Sequence, residues 1–392
     1  MQKRSQHVFP ETGSPIGGNP GIGEKHRDGN RRCWEVHLNC SIQTVNPLQE
    51  PGWDNLAMTH PGYTFFHSRA WAQVLQSTYG FKPIYFTVRD GNRLLALLAV
   101  MEVNGWLFSR RGVSLPFTDE CPPMTSDPFS FPALLRAATK YGTDRRWKYL
   151  EWRGSGGQAR VENPKSEPAT IVPSLSFYWH ILDLATSEHY LFQRFESGVR
   201  RAIRKAESAG VKGEITQDLA SVRVFYALHC RTRKRHGLPP QPFSFFENIH
   251  RTILSENLGF VSLAKYQEKP IAAAIFFHMG KKSVYKFGAS DDSYQQLRGN
   301  NQVMWEAIKW LVRNGLEVLH LGRTSLANEG LRRFKRGWAT EECRIEYFRY
   351  DFLTQRVAAV RDEVFGWHNR LFRSMPMGLS LLLGMLLYKH MA

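Results

Sequence analysis

Cationic side chains at helical spacing are the groups in this 392-residue chain best placed to do chemistry. They fall in three runs: VRRAIRKAESAG, with Arg200, Arg201, Arg204 and Lys205; RTRKRH, from Arg231 to His236; and LRRFKRGW, with Arg332, Lys335 and Arg336. In the first run Arg200 and Arg204, like Arg201 and Lys205, stand one helical turn apart, which gives a cationic face. One such helix is ordinarily a solvated surface whose arginines pair with neighbours such as Glu196 and Glu207. Three runs in one half of the chain point instead to phosphate contacts through Arg200, Arg204, Arg233, Arg235 and Arg336. In the third run Leu331, Phe334 and Trp338 share one side, so an apolar anchor holds charge beside the polar turn between Ser290 and Asn301. That turn joins a strand's carboxyl end to a helix's amino end, where free N–H groups and the helix dipole attract anions. Arg298 and Asn300 are its candidate ligand contacts.

The composition fits such a partner. A net charge of +17 and a pI near 9.8 suit nucleic acid, a phosphate-bearing substrate or an anionic membrane surface. Five cysteines, odd in number and without a CxxC pair, indicate a reducing compartment and neither a disulfide framework nor a metal site. The first 32 residues read as a disordered lead-in without a signal-peptide core, and no run reaches the roughly 20 apolar residues of a spanning helix. A cytoplasmic protein is expected. The apolar tail run Met377–Leu387 is either docked on the first domain or an interfacial anchor at the inner membrane surface, helped by Arg361, Arg370 and Arg373.

These residues need a scaffold, and the chain supplies one twice. A strand from Trp34 to Ile42 and a helix in PGYTFFHSRAWAQVLQSTYG precede the strands PIYFTVRD, LLALLAVMEV and WLFSRRGVSLPF, the helix ALLRAATKYG and the strand WKYLEWRG. After the strand SFYWHILDL and one helix through HYLFQRFESGVRRAIRKAESAGV, the order recurs. The second set is VRVFYALHCRTRKRHG, FVSLAKYQ, PIAAAIFFHM, SVYKFGAS, QVMWEAIKWLVRNG and LEVLHLGR. The fold class is α/β with mixed sheets. Two tandem domains, 33–175 and 176–350, follow the lead-in, and 351–392 form a helical tail.

Taken together, VRRAIRKAESAGV, RTRKRHGLPPQPFSFFE, KPIAAAIFFHMGKKSVYKFGAS, LGR and FKRGW resemble the FemAB-like branch of the GNAT acyltransferase superfamily, with TFFHSRAWAQVL to LFSRRGVSLPF similar to its first domain. The resemblance spans roughly Trp34 to Tyr350. It implies tandem GNAT folds and transfer of an aminoacyl group from charged tRNA to an amine of a peptidoglycan precursor; relatives are linked to exopolysaccharide clusters. It assigns the oxyanion-stabilising cation to Lys335 and a functional aspartate to Asp119, with Tyr285, Arg323 and Phe334 among the substrate contacts. An aminoacyl ester is already activated, so orientation and a cation suffice, with no tightly bound cofactor and no metal. His229, His236 and Cys230 are accordingly not read as a catalytic pair. The stretch Gln296-Leu297-Arg298-Gly299-Asn300-Asn301 places Asn where coenzyme A-binding relatives have a small residue, which argues against acyl-CoA as donor. Asp119, Asp291 and Asp292 are candidate proton acceptors, although capping a turn is the commoner role of Asp in such loops. Two alternatives stand beside aminoacyl transfer: an acyl-CoA-dependent N-acyltransferase, and a non-catalytic RNA-binding protein on the same fold. The second is disfavoured by strands that read as continuously apolar.

Overall fold

The computed structural model describes residues 41–105, 109–154, 173–357 and 372–390. The expected lead-in and most of the strand beginning at Trp34 lie outside them. The first half comprises β1 (Gln43–Val45), α1 (Trp53–Met58), α2 (Arg69–Tyr79), β2 (Lys82–Asp90), β3 (Arg93–Gly105), β4 (Ser109–Val113), β5 (Met124–Thr125), α3 (Ser130–Asp144), β6 (Tyr149–Arg153) and β7 (Leu175–Asp183). The second comprises α4 (Glu188–Arg194), α5 (Ser197–Ser208), β8 (Lys212–Thr216), α6 (Leu219–Arg235), α7 (Phe243–Ile249), β9 (Gly259–Tyr266), β10 (Lys269–Met279), β11 (Lys282–Ser290), α8 (Gly299–Arg313) and β12 (Val318–Ser325). There follow α9 (Glu329–Arg336), β13 (Glu341–Asp351), β14 (Arg356–Val357) and the tail helix α10 (Met377–Leu387).

The duplication is visible in the ladders. In each half an antiparallel meander, β2–β3–β4 or β9–β10–β11, ends in a strand that pairs in parallel with the next one, β4 with β6 and β11 with β12. The crossovers are α3 and α8, whose apolar residues recur at helical spacing and are buried, as in Leu134, Leu135 and Ala138 or Met304, Ala307, Ile308 and Leu311. The halves then exchange their last strands. β13 pairs with β6, β7 pairs with β12, and β7 and β13 pair with each other, so all fourteen strands of the described residues join one sheet. The core is shared too, since Phe65 of the first half stacks on Phe277 of the second at 4.7 Å between centroids, and Trp71 meets Phe245 at 6.0 Å.

The structure corrects two expectations. The single helix expected from His189 to Val211 is two, α4 and α5, because the chain turns extended at Phe195 to drop that ring into the core. Phe195 is 2% exposed, edge-on to Trp305 at 5.6 Å and Trp338 at 5.1 Å, and the next N–H, of Glu196, donates to the Gly337 carbonyl at 2.9 Å. The break therefore seats the FKRGW segment. The tail docks on both halves and not on the first alone: Tyr388 packs on Phe117 at 5.6 Å while its hydroxyl accepts from Arg233 at 2.5 Å and donates to the Pro239 carbonyl at 3.1 Å. Gly384 lets α10 approach this closely, since a Cβ there would lie 2.2 Å from the Pro240 carbonyl oxygen.

Phe195→Ala is expected to cost about 3–5 kcal/mol in urea denaturation, the range for deleting a buried aromatic ring. A loss below about 1 kcal/mol would show that the break does not hold the α9 segment in place.

Candidate active site

Two β-bulges on neighbouring strands build the site. In the β10–β11 ladder the register passes from Ile275↔Phe287 to Phe276↔Tyr285, which leaves Lys286 as the extra residue. In the β12–β7 ladder it passes from His320↔Ile181 to Arg323↔Trp179, with Gly322 in the left-handed region at φ +71°. Only glycine adopts that conformation without strain. Beyond β12, Asn328 caps α9 by accepting from the Leu331 N–H at 3.0 Å, and the helix brings Lys335 back over the bulge. Lys335 Nζ then donates to the carbonyls of Gly322 at 2.7 Å and Arg323 at 3.0 Å.

Asp119 comes from the other half. Its loop contains Leu115 at φ 51° and Phe117 at φ 58°, conformations that β-branched and bulky residues rarely adopt and that must be held from outside. Arg153 holds the loop by donating to the carbonyls of Leu115 at 3.3 Å and Thr118 at 2.9 Å, and the Tyr347 hydroxyl donates to the Asp119 carbonyl. The carboxylate so placed accepts from Lys286 Nζ at 2.9 Å and lies 3.9 Å from Arg323 Nε. Lys286 is only 5% exposed at its side chain and sits near the Phe287, Phe66 and Trp71 rings at 5.1, 5.4 and 5.9 Å.

Burial and neighbours set the charges. Burial alone would raise Asp119, but Lys286 and Arg323 outweigh it and hold the carboxyl below its usual range. Burial depresses Lys286, against the opposing pull of Asp119. Lys335, 2% exposed, is pushed down to about 7 by burial, with Asp119 opposing and Arg323 and Lys286 adding to the shift. These groups line a cleft of about 590 Å3 between the halves, together with Tyr285, Arg233, His229, Thr232 and the docked Tyr388. With two N–H bonds given to carbonyls, the third tetrahedral position of Lys335 Nζ is left for the cleft. It is an N–H donor below the amine's pKa and a lone pair above it.

The structure thus brings together Lys335, Asp119, Arg323, Tyr285 and Arg233. The other expected contacts lie elsewhere. Arg200 bonds the Gln193 carbonyl, Arg204 is exposed over Phe192, and Arg235 faces Asp292 at 3.8 Å. Arg298, Asn300 and Arg336 are exposed away from the cleft lining, and Phe334 packs into the second core edge-on to Trp338. Much of the basic charge is paired locally: Arg332 with Glu342 at 2.8 Å and over Tyr178, and Arg231 with Asp291 at 2.8 Å. Three runs acting as one phosphate surface is therefore corrected to single contributions from two of them. Lys335, which the spacing of Leu331, Phe334 and Trp338 sets off their apolar side, is nevertheless the buried residue of its helix.

Asp291 caps the turn through the Ser293 N–H, so the capping role holds for it and not for Asp119. His229 lines the cleft but is held down to about 3 by burial and the nearby Arg233, and it bonds Gln241 at 2.8 Å. Among the described residues no three His, Cys, Asp or Glu side chains gather to ligate a metal. Sequence reasoning missed Lys286, Tyr347 and Arg153. A lysine inside the apolar strand SVYKFGAS and an arginine in LEWR were the available signals.

Residues 193–336 match the family model for an acetyltransferase (GNAT) domain. No curated protein matches the chain. Among solved structures, FemX superposes with a TM-score of 0.61 at 14% identity, covering 80% of this chain and 98% of its own. A tandem GNAT protein from the clavulanic acid biosynthesis pathway gives 0.48 at 10% identity, over 80% and 98%. The C-terminal domain of a putative lysylphosphatidylglycerol synthetase from Agrobacterium fabrum gives 0.47 at 13% identity, over 71% and 86%.

A lysine with a folded pKa near 7 and an unfolded value near 10.4 binds fewer protons in the native state between those limits. Its contribution to stability therefore rises with pH through that window, by at most about 1.4 kcal/mol per unit, and is flat below about 7. Lys335→Met should flatten the rise measured by urea denaturation between about pH 7.5 and 9.5. An unchanged slope would contradict the depressed amine.

Proposed function

We propose that this chain, whose residues 193–336 match a GNAT domain model and whose fold is similar to that of FemX, is an acyltransferase that moves an activated aminoacyl or acyl group onto an amine of a phosphate-bearing cell-envelope or exopolysaccharide precursor. The observation that carries this reading is the buried Lys335 ammonium, fixed by two carbonyls on the floor of the cleft and compensated by Asp119 from the opposite half. Attack of an amine on an ester or thioester carbonyl places negative charge on the carbonyl oxygen. A preorganised cation in a poorly solvated cleft stabilises that charge without reorganising. The acceptor amine adds to the carbonyl carbon, the ester or thioester bond breaks, and the amine's proton leaves with the departing group or to water.

Asp119 acts in this scheme as a positioning residue. It keeps Lys286 and Arg323 in place and favours the protonated form of Lys335, while its ion pair with Lys286 occupies the carboxylate. Aminoacyl-tRNA is the proposed donor in preference to acyl-CoA, supported by the Asn300-Asn301 side chains at the start of α8, where a pyrophosphate would need close backbone approach. Contact with the inner membrane surface is part of the same proposal. Leu379, Leu382, Met385 and Leu386 of α10 are 47–62% exposed on a helix that ends beside the cleft, between the exposed Arg373 and Lys389. Among the described residues no helix is long and apolar enough to cross a membrane.

The test offers labelled aminoacyl-tRNAs and acyl-CoAs to amine-bearing envelope precursors in vitro. Lys335→Met, which keeps the side-chain volume better than alanine, is expected to lower kcat by about 10²–10³, the usual effect of removing one oxyanion donor. Transfer at the parental rate in that variant would sink the mechanism. Stabilisation of the protein by coenzyme A in a thermal shift would overturn the donor assignment.

A further inference from the structure

A second cavity, of about 320 Å3, lies on the sheet face that β4, β6 and β13 present beside the cleft. The ladder sets Tyr347 opposite Arg153 and Arg349 opposite Glu151, so alternate residues of both strands share one face. Their neighbours Trp152 and Phe348 point the other way, stacked at 5.4 Å, with Phe131 of α3 edge-on to Trp152 at 5.9 Å. One face of these central strands is thus packed as an ordinary core, whereas the other carries charge. Among the described residues that line the cavity, Arg111, Lys148, Arg153, Arg323 and Arg349 stand with one carboxylate, Glu151, which already accepts from Arg153 at 2.9 Å and from Arg349 at 2.6 Å.

We infer that this cavity binds a phosphate or diphosphate group of the substrate. This excess of cations over acids among the described lining residues, in a concave wall, concentrates anions, and guanidinium forks with an ammonium match phosphate oxygens. The cavity communicates with the transfer site through two residues. Arg323 lines both cavities, lying 3.9 Å from Asp119 and bearing one of the carbonyls that hold Lys335. Arg153 grips the loop that presents Asp119. A phosphate bound here fixes the precursor at a set distance from the Lys335 amine and steadies the arginine between them. The Arg111 guanidinium also donates to the His390 carbonyl at 2.8 Å, so the cavity rim adjoins the end of the apolar tail helix, and the phosphate belongs either to a soluble ester or to a lipid headgroup. The inference rests on the transfer reading of the cleft, but phosphate binding needs no transfer and is measured separately.

Titration of the full-length protein with inorganic pyrophosphate by calorimetry tests it. Saturable binding is expected, weakened about tenfold or more by Lys148→Gln, whose side chain is exposed, and restored by Lys148→Arg. Lys335→Met should bind pyrophosphate as the parent does while losing transfer, which separates failure of the cavity from failure of the mechanism. Arg204→Gln, on α5, should leave binding unchanged. Absence of saturable binding, indifference to Lys148→Gln, or equal weakening by Arg204→Gln would overturn the site in favour of diffuse charge. In a second arm, binding to phosphatidic acid vesicles that pyrophosphate competes and Lys148→Gln abolishes supports a lipid phosphate, whereas pyrophosphate binding without such vesicle binding supports a soluble ester.

Discussion

A carboxylate from one half of the chain compensates the cations of the other, and the rest of the site depends on that interaction. Lys286 and Lys335 are buried on the second half, and among the described residues that line the cleft Asp119 is the one carboxylate. Buried charges are tolerated when paired and hydrogen-bonded, and removing one partner commonly costs about 3–5 kcal/mol. The strand exchange keeps the pairing in register. Tyr347 on β13 reaches across to the Asp119 carbonyl and also accepts from Arg323 at 3.1 Å, so the exchanged strand ties Asp119 to the arginine beside it.

That dependence explains why strain and polarity concentrate at the junction. The two bulges, the left-handed Gly322, Leu115 and Phe117, and the depressed Lys335 all lie within this cleft wall or its supporting loop. None of them stabilises a fold by itself, and each places a charge or a carbonyl where a regular strand would not. The tail adds a further constraint by closing one side of the cleft with Tyr388 while leaving Leu379, Leu382 and Leu386 exposed.

Much of the scaffold was legible in the sequence. The apolar strands of β3 and β10 and the helical spacing in α8 give clear periods, and the recurrence of their order gives the duplication. What could not be read was anything fixed by register or by contacts distant in sequence. The helix break at Phe195 is decided by Trp305 and Trp338, both more than 100 residues away. Lys335 looked polar-faced because the bulge that receives it carries no periodic signal. The exposed arginines of α5 were over-read, since charge at helical spacing marks a solvated face as readily as a ligand site. Conversely, treating the strands as continuously apolar passed over Glu151, Arg153 and Arg349, whose alternation sets a charged face behind an apolar one.

In the proposed reaction, transfer requires the protonated Lys335 amine. The most direct measurement is the single-turnover transfer rate as a function of pH from about 6 to 8.5, in the parent and in Lys335→Arg, whose guanidinium stays charged throughout. The parent's rate, rising as the acceptor amine loses its proton, is expected to level off above about pH 7 as Lys335 titrates, while the slower variant keeps rising. A parental rate that climbs through this range as the variant's does would contradict it.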